Sequence, residues 1–252
     1  MIGLDKIYNE DCLVGMKRIP DSSVDCVICD LPYEVLNKGN KNAQWDRVIP
    51  FEPLWEQYLR VSKENAAIIL FAQGMFTCDL MNSNRKLWRY NLIWDKRRPS
   101  GFLNANRMPL RSHEDICVFY RQLPTYNPQM VKDGGKYERG GPNSKSNNVY
   151  GKIEKREKSY TDERYPQSIL SYSKKVLPGQ HPTQKPVDLI AYLVRTYSNE
   201  GEVILDNCMG SGTTAIACMR ENRHFIGFEL NKDYYDKANE RIEQEKAQLK
   251  LF

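Results

Sequence analysis

A carboxylate, a proline-constrained turn and an aromatic ring follow one another in Asp30-Leu31-Pro32-Tyr33. These residues come directly after the apolar run Val24–Cys29, which predicts a strand buried on both faces of a parallel sheet. A carboxylate at the carboxyl end of such a strand lies where open α/β sheets bind ligands. Pro32 keeps Leu31 out of the helical conformation, so the Leu31 carbonyl has a fixed direction. Together these groups suit a planar molecule with an exocyclic amine; the alternative is a strand-end turn whose aspartate caps local amides.

A second pattern lies near the C-terminus, where a short apolar strand ends in Asp206 and a turn with Gly210 and Gly212 precedes a predicted helix. Glycine lets the backbone approach a ligand closely because no Cβ intervenes. Glu229 ends the next predicted strand, where an acid can bind both hydroxyls of a ribose. The turn lacks the glycine spacing of a dinucleotide site and the Gly-Lys-Ser/Thr of a phosphate loop. A tight connection without a ligand is the alternative, but the order of strand, turn, helix, strand and acid favours a nucleoside cofactor.

Strands that alternate with helices predict an α/β fold with a mainly parallel sheet. From Gln122 to Pro182 the periodicity disappears, which predicts an irregular surface insert. Helices are expected from Pro186 through Tyr197, over Thr213–Glu221, and after Asn231. Strands are predicted at Lys6–Tyr8, Val24–Cys29, Ala66–Phe71, Leu92–Asp95, Ile116–Tyr120, Val203–Leu205 and His224–Glu229.

Positive charge is concentrated in the middle of the chain. The 252 residues carry a net charge of +5, but residues 83–180 hold 20 Lys and Arg against 9 Asp and Glu, a net charge of +11. The remaining residues hold 17 against 23, a net charge of −6. A basic segment of this kind predicts a surface for a polyanion, with a solvated lysine-rich loop as the alternative.

Composition excludes several classes of protein. With 40% apolar and 27% charged residues, the chain is not expected to be disordered. The longest nearly apolar run, Ala66–Ala72, is too short to cross a membrane, and Met1–Tyr8 has no secretory pattern. The seven cysteines form no disulfide framework, so we expect a cytoplasmic protein. Cys26 and Cys29 lie within one predicted strand and the three histidines are dispersed, so we expect no metal site.

The two motifs together resemble the amino-methylating DNA methyltransferases of the permuted β type. That family carries Asp-Pro-Pro-Tyr as its catalytic motif and Asp-Pro-Phe-x-Gly-Ser-Gly-Thr-Thr as its S-adenosyl-L-methionine motif, in this order. Leu31 replaces the first proline of one motif, and Asn207-Cys208 replaces Pro-Phe in the other. The resemblance covers nearly the whole chain, with further matches at Asn9–Cys12, Ser22–Asp25, Ile93–Lys96, Ser112–Glu114, His181–Pro186 and Phe225–Glu229.

The resemblance implies a Rossmann-like, S-adenosylmethionine-dependent methyltransferase fold with a circularly permuted, mixed seven-stranded sheet. Residues 1–121 would form the catalytic part of the core and residues 181–252 its cofactor-binding part. Residues 122–180 would form a target-recognition insert, in agreement with the charge distribution.

The resemblance also implies S-adenosyl-L-methionine as the cofactor. Glu229 is expected to bind the ribose and Asp11 the adenine amine. The N-terminus of the helix after the glycine turn would favour the methionine carboxylate, and Lys185 would add a charge contact to the same group. A surface acid ahead of a helix is the alternative for Asp11. The other predicted cofactor-binding residues belong to the strand end and the turn: Asp206, Gly210, Ser211, Gly212 and Thr213.

Asp30, Leu31, Pro32 and Tyr33 match the catalytic motif. Asp30 and the Leu31 carbonyl would accept hydrogen bonds from both hydrogens of a nucleobase amine, which frees the nitrogen lone pair. The base must leave the duplex to reach them, and Tyr33 would stack on it. Trp94 is a secondary candidate for this pocket, with a place in the core as its alternative.

The implied partner is double-stranded DNA, and the expected target is adenine N6, because cytosine enzymes usually begin the tetrapeptide with Ser. Three alternatives stay open: transfer to cytosine N4, transfer to RNA, and a catalytically silent homologue that binds DNA. A homodimer and a cognate restriction endonuclease also stay open as partners. The residues expected to contact DNA phosphates are Lys152, Lys155, Arg156 and Lys158.

Overall fold

The computed structural model describes residues 2–33, 46–139, 159–173 and 184–249. The chain divides into two compact units, one formed by Met1–Asn127 with Ser168–Phe252 and the other by Pro128–Gln167. The four basic residues predicted to contact DNA, at positions 152, 155, 156 and 158, lie outside the described residues.

The larger unit is built on one mixed sheet of eight strands. The strands are β1 (Lys6–Tyr8), β2 (Val24–Asp30), β3 (Ser62–Ala72), β4 (Trp88–Ser100), β5 (Arg111–Phe119), β8 (Ile169–Ser171), β9 (Val203–Asp206) and β10 (His224–Phe228), while β6 (Val131–Arg139) and β7 (Ser159–Arg164) belong to the smaller unit. Their order across the sheet is β1-β10-β9-β2-β3-β5-β4-β8. Strand β5 runs antiparallel to both of its neighbours, β3 and β4, and all other neighbouring strands are parallel.

Helices connect the strands and cover the sheet, as the alternating pattern predicted. Buried residues form two hydrophobic clusters, and alternate residues of β2 belong to one or the other. Both faces of this central strand are therefore covered, which confirms the α/β class. The helices are α1 (Cys12–Met16), α2 (Phe51–Val61), α3 (Met75–Ser83), α4 (Val187–Tyr197), α5 (Thr213–Arg220) and α6 (Lys232–Leu249).

The stretch predicted to be irregular contains three strands, so that prediction was wrong for its described part. β6 and β7 form an antiparallel pair, and β8 adds an eighth strand to a sheet for which seven were expected. β6 and β7 are mostly polar and paired through their backbones, so no hydrophobic period marks them. β8 is only three residues long, although its Leu170 is buried in the core.

Parallel pairing brings three acids to one edge of the sheet. Asp30 is the last residue of β2, Asp206 is the last residue of β9, and Glu229 follows β10. These strands are neighbours in the order β10-β9-β2, so their carboxyl ends lie side by side. The chain leaves β2 towards β3 and leaves β9 towards β10, in opposite directions along the sheet. A crevice between two such strands is where open α/β sheets bind ligands.

Close packing of α1 against β10 forms one side of this edge. Gly15 of α1 lies so near Phe228 that a Cβ built on it would be 2.1 Å from the Phe228 ring. Phe228 is fully buried, which leaves the ring little room to move. The helix that follows Asp11 can therefore approach the sheet only because residue 15 is a glycine.

We expect Gly15→Ala to destabilise the protein. Overpacking in a core costs about 1–3 kcal/mol, and a contact as short as 2.1 Å places this case above the roughly 1 kcal/mol that alanine gains over glycine in a helix. Gly3→Ala is the matched control, because its Cβ would find no atom closer than 3.4 Å. Thermal unfolding of the two variants checks this prediction, and equal midpoints would contradict it.

Candidate active site

A cavity of about 800 Å³ opens at the carboxyl ends of β2, β9 and β10. Its lining includes Asp30 and Tyr33 from the first motif, and Asp206 and Glu229 from the second. Every predicted catalytic or cofactor-binding residue except Gly212 contributes to it. Two motifs that are more than 170 residues apart in the chain therefore face one cavity.

Both oxygens of the Asp30 carboxylate are hydrogen-bonded. The Tyr33 hydroxyl donates to Oδ1 at 2.5 Å, and the Lys185 ammonium donates to Oδ2 at 2.5 Å. The Tyr33 backbone is held in turn, since its N–H donates to Asp46 Oδ1 at 2.9 Å. The turn after β2 thus has a fixed geometry around the carboxylate.

Lys185 lies at the centre of a partly buried group of charges. Besides Asp30, its ammonium is 3.2 Å from the carboxylate of Glu114, which is also 3.4 Å from the ammonium of Lys96. Burial alone would lower the pKa of Lys185, but the adjacent carboxylates of Asp30 and Glu114 outweigh it and raise that pKa above its ordinary value. Two ammonium groups therefore balance two carboxylates beside the cavity.

Aromatic rings surround the same ammonium. Lys185 Nζ is 5.0 Å from the ring centre of Phe71, 5.8 Å from that of Trp94 and 5.9 Å from that of Tyr33. Such contacts stabilise a cation that has lost water. Trp94 is 2% exposed, donates its indole N–H to the Tyr172 carbonyl, and lines the cavity. It therefore occupies the core and borders the pocket at once.

The second motif forms a rigid turn between β9 and α5. Gly210 and Gly212 have φ angles of +54° and +78°, which favour glycine. Gly212 lies against α6, since a Cβ on it would be 3.2 Å from the Cβ of Ala238. Gly212 therefore shapes the turn, while its neighbours Ser211 and Thr213 face the cavity.

The Asp206 carboxylate stabilises this turn through two hydrogen bonds. Its Oδ2 accepts a hydrogen bond from the Thr214 hydroxyl at 2.6 Å, and its Oδ1 accepts one from the Cys208 backbone at 3.0 Å. Burial raises the pKa of Asp206 to about 6, although both hydrogen bonds act in the opposite direction. The carboxylate is 4% exposed and supports the turn that borders the cavity.

Glu229 links the turn to the end of β10. Its Oε2 accepts a hydrogen bond from Gly210 N–H at 2.8 Å, and its Oε1 accepts one from Asn231 N–H at 2.7 Å. Burial raises the pKa of Glu229, while hydrogen bonds from the backbones of Asn231, Gly210 and Leu230 oppose the shift. A carboxylate has about four lone-pair sites, so acceptor capacity remains for a ligand in the cavity.

Asp11 caps α1, as its structural alternative predicted. Its Oδ1 accepts hydrogen bonds from the backbones of Leu13 and Val14 at 2.8 and 3.2 Å. The same residue lines the cavity, so capping does not remove it from the site. Its contact with an adenine amine stays a prediction.

Asn207, one of the two departures from the family motif, is held by a polar contact. It is 2% exposed, and the hydroxyl of the fully buried Tyr58 donates to its Oδ1 at 2.5 Å. Its amide nitrogen is 3.6 Å from the sulfur of Cys12. A hydrogen bond to Tyr58 therefore holds the residue that stands where the family pattern has proline.

Three site residues were not singled out individually from the sequence. Lys96 and Glu114 belong to segments that match the family, but nothing in the sequence pairs them with Lys185. The tyrosine at position 58 lies in α2, which the sequence analysis did not predict. Contacts of this kind join residues far apart in the chain, so periodicity carries no sign of them.

Three curated relatives match most of the chain. The type II methyltransferase M.HpaI of Haemophilus parainfluenzae is 26% identical over 95% of this chain and 74% of its own length. M1.MboII of Moraxella bovis is 25% identical over 95% of this chain and 96% of its own length. M.BglII of Bacillus subtilis is 27% identical over 93% of this chain and 68% of its own length.

Solved structures share the fold. A complex of M1.HpyAVI with SAM superposes with a TM-score of 0.63 and 22% identity, covering 94% of this chain and 98% of that one. The cytosine-N4-specific PvuII DNA methyltransferase has a TM-score of 0.65 and 16% identity, with coverages of 94% and 85%. A putative DNA modification methylase from Thermus thermophilus has a TM-score of 0.61 and 20% identity, with coverages of 95% and 94%. These likenesses confirm the methyltransferase fold.

A sequence model described as DNA methylase, for N6 and N4 methyltransferases, matches residues 24–240. That range begins with β2 and extends beyond β10, so it contains both motifs and the strand ends that surround the cavity. The chain therefore belongs to the N6/N4 DNA methylase family.

Proposed function

We propose that this DNA methyltransferase transfers a methyl group from S-adenosylmethionine to the N6 amine of an adenine flipped out of double-stranded DNA. Membership of the family supports the methylation of an exocyclic amine in DNA. The position of Asp30 carries the finer proposal: its carboxylate ends β2 in the same cavity as the glycine turn and Glu229.

The residues of the second motif fit the cofactor. Glu229 keeps acceptor capacity for ribose hydroxyls, and Asp11 offers a carboxylate for the adenine amine. The N-terminus of α5 provides unpaired backbone N–H groups that favour a carboxylate. Since Lys185 is held by two carboxylates, we assign the methionine end to this helix terminus rather than to Lys185. When bound, S-adenosylmethionine supplies an electrophilic methyl group on a sulfonium sulfur.

Asp30 and the Leu31 carbonyl activate the amine. The lone pair of an exocyclic amine is delocalised into the base, which makes the nitrogen a poor nucleophile. Hydrogen bonds from both amine hydrogens, one to each acceptor, pull the nitrogen towards tetrahedral geometry and localise the lone pair. The Asp30 carboxylate also stabilises the positive charge that develops on nitrogen and is placed to accept its proton.

Lys185 and Tyr33 keep Asp30 in position for this step. A carboxylate can accept a third hydrogen bond, so the amine can bind while both existing partners stay in place. Lys185 and Lys96 balance the charges of Asp30 and Glu114, so Asp30 does not face an uncompensated second carboxylate. The Tyr33 ring would stack on the base, while its hydroxyl donates a hydrogen bond to Asp30.

Adenine is favoured over cytosine because the tetrapeptide begins with Asp30, and cytosine-type enzymes of this family usually begin it with Ser. Residues 122–180 remain our proposal for the target-recognition insert, supported by the concentration of positive charge between residues 83 and 180. The basic residues near position 155 would contact phosphates and carry no base specificity themselves.

We expect Asp30→Ala to lower methyl transfer by at least about 100-fold, the scale of losing one preorganised electrostatic contact to a transition state. Binding of S-adenosylmethionine should stay within a few-fold of wild type, because the glycine turn is untouched. Radiolabelled methyl transfer to genomic DNA from a methylation-free host measures the first effect, and calorimetry the second. Asp21→Ala, at an exposed acid, is the control. Near-normal turnover of the Asp30 variant would contradict the role given to Asp30.

Glu229→Gln should weaken binding of S-adenosylmethionine by about 1.5–3 kcal/mol, the usual contribution of a hydrogen bond to a charged group. The amide also replaces one of the two acceptors that hold the backbones of Gly210 and Asn231. Glu243→Gln, on the exposed face of α6, is the matched control. Calorimetry checks the difference, and unchanged affinity would mean that Glu229 does not bind the ribose.

The methylated base is identified by digesting DNA modified by the enzyme and resolving its nucleosides. We expect N6-methyladenine, because Asp30 leads the catalytic motif. N4-methylcytosine would overturn the assignment of the base while leaving the family unchanged. Absence of any methylated nucleoside would support a silent DNA-binding homologue.

A further inference from the structure

The connection between β4 and β5 exposes large apolar side chains. A short 3₁₀ helix, Phe102–Asn104, begins after Gly101, whose φ is +88°. Phe102 is 77% exposed and Leu103 is 86% exposed. Met108 and Leu110 of the same connection are also exposed. Apolar surface concentrated on one loop marks an interaction site more often than scattered exposed residues do.

The same loop is strongly basic. Residues 97–111 contain four arginines and no aspartate or glutamate. Arg97 pairs with Asp95, outside this segment, at 3.4 Å. The arginines at positions 98, 107 and 111 are all exposed. A partner of this loop must therefore combine negative charge with apolar surface.

The loop begins and ends at the candidate active site. Arg98, Pro99 and Ser100 at the end of β4, and Arg111 at the start of β5, line the cavity that holds Asp30. Phe102 and Leu103 lie beyond this lining and belong to neither hydrophobic cluster. The apolar tip therefore projects from the rim of the pocket proposed to receive the base.

We propose that Phe102 and Leu103 insert into double-stranded DNA beside the target base and hold open the gap that the flipped base leaves. This inference rests on the proposed function. Extruding a base exposes the apolar faces of its stacked neighbours and costs a few kcal/mol. Apolar side chains that enter the stack cover those faces, as in proteins that bend DNA with inserted wedges. The arginines of the loop contact the flanking phosphates.

A mispaired target base tests this directly, because a mismatch already lowers the cost of extrusion. The recognition sequence comes from sequencing the methylated bases of DNA modified by the wild-type enzyme. Two short duplexes then carry that sequence, one with the target base paired and one with it mispaired. Single-turnover methyl transfer is compared between the wild type and Phe102→Ala/Leu103→Ala. Leu4→Ala is the control, since Leu4 is exposed and precedes β1 at the opposite edge of the sheet.

We expect the double variant to be at least about 10-fold slower than wild type on the paired duplex and within about 3-fold on the mispaired one, since a tenfold change in rate corresponds to 1.36 kcal/mol. S-adenosylmethionine affinity should not change. A paired duplex that contains 2-aminopurine at the target position should show weaker fluorescence enhancement with the double variant. Leu4→Ala should behave as wild type in every assay.

Three results would overturn the inference. Normal rates of the double variant on the paired duplex would show that the loop is not needed for extrusion. An equal loss on both duplexes would place the loop in another step. A change of oligomeric state in sedimentation experiments would show that the loop contacts a second copy of the chain. If the wild-type enzyme methylates no duplex, the proposed function fails instead, which is a separate result.

Discussion

The pairing of β2 with β9 is the constraint on which the candidate site depends. Cys26 lies opposite Ile204 and Val27 lies opposite Leu205, in parallel register. This short ladder joins the beginning of the chain to its C-terminal quarter and aligns the ends at Asp30 and Asp206. Because the two strands are parallel, the residues that follow them emerge at one edge. A shift by one residue would turn every side chain of β2 to the opposite face.

A second constraint is electrostatic. Asp30, Glu114, Lys96 and Lys185 lie together beside the cavity, partly buried, so removing one partner leaves an uncompensated charge. The group is balanced as a set, and its members come from β2, β4, β5 and the segment before α4. Such an arrangement fixes the relative positions of these elements at the rim, because each charged side chain must reach its partner. Rigidity around Asp30 thus follows from the cost of burying charge.

The parts of the fold that the sequence predicted are those in which one physical signal dominates. β2, β9 and β10 are apolar runs because both faces of the sheet are covered, and their ends could be located to within a residue or two. α2 was missed: Pro53 lies in its first turn, where proline is tolerated, but its presence obscures the helical pattern. β6 and β7 depend on backbone pairing between polar segments, and β8 is too short to show a period.

The site shows the same division. Asp30 and Glu229 were placed by their positions at strand ends, a local property of the sequence. The contact between Lys185 and Asp30 spans 155 residues and depends on where the segment before α4 meets β2. No residue type or spacing encodes that contact, so the sequence predicted only a cofactor contact for Lys185, which stays a prediction, and did not predict its contact with Asp30. The roles of these residues in binding and catalysis stay proposals.

The hydrogen-bonded state of Asp30 bears on how many methyl groups one base can receive. Each oxygen of this carboxylate already has a donor, Tyr33 on Oδ1 and Lys185 on Oδ2. An incoming amine can therefore add hydrogen bonds only by donating its own hydrogens. In the proposed mechanism an unmodified amine brings two hydrogens, one for Asp30 and one for the Leu31 carbonyl, whereas a methylated amine brings one and makes one hydrogen bond fewer. On the proposed mechanism, the product gives up one hydrogen bond, a difference of about 0.5–1.5 kcal/mol, which would favour its release after a single transfer.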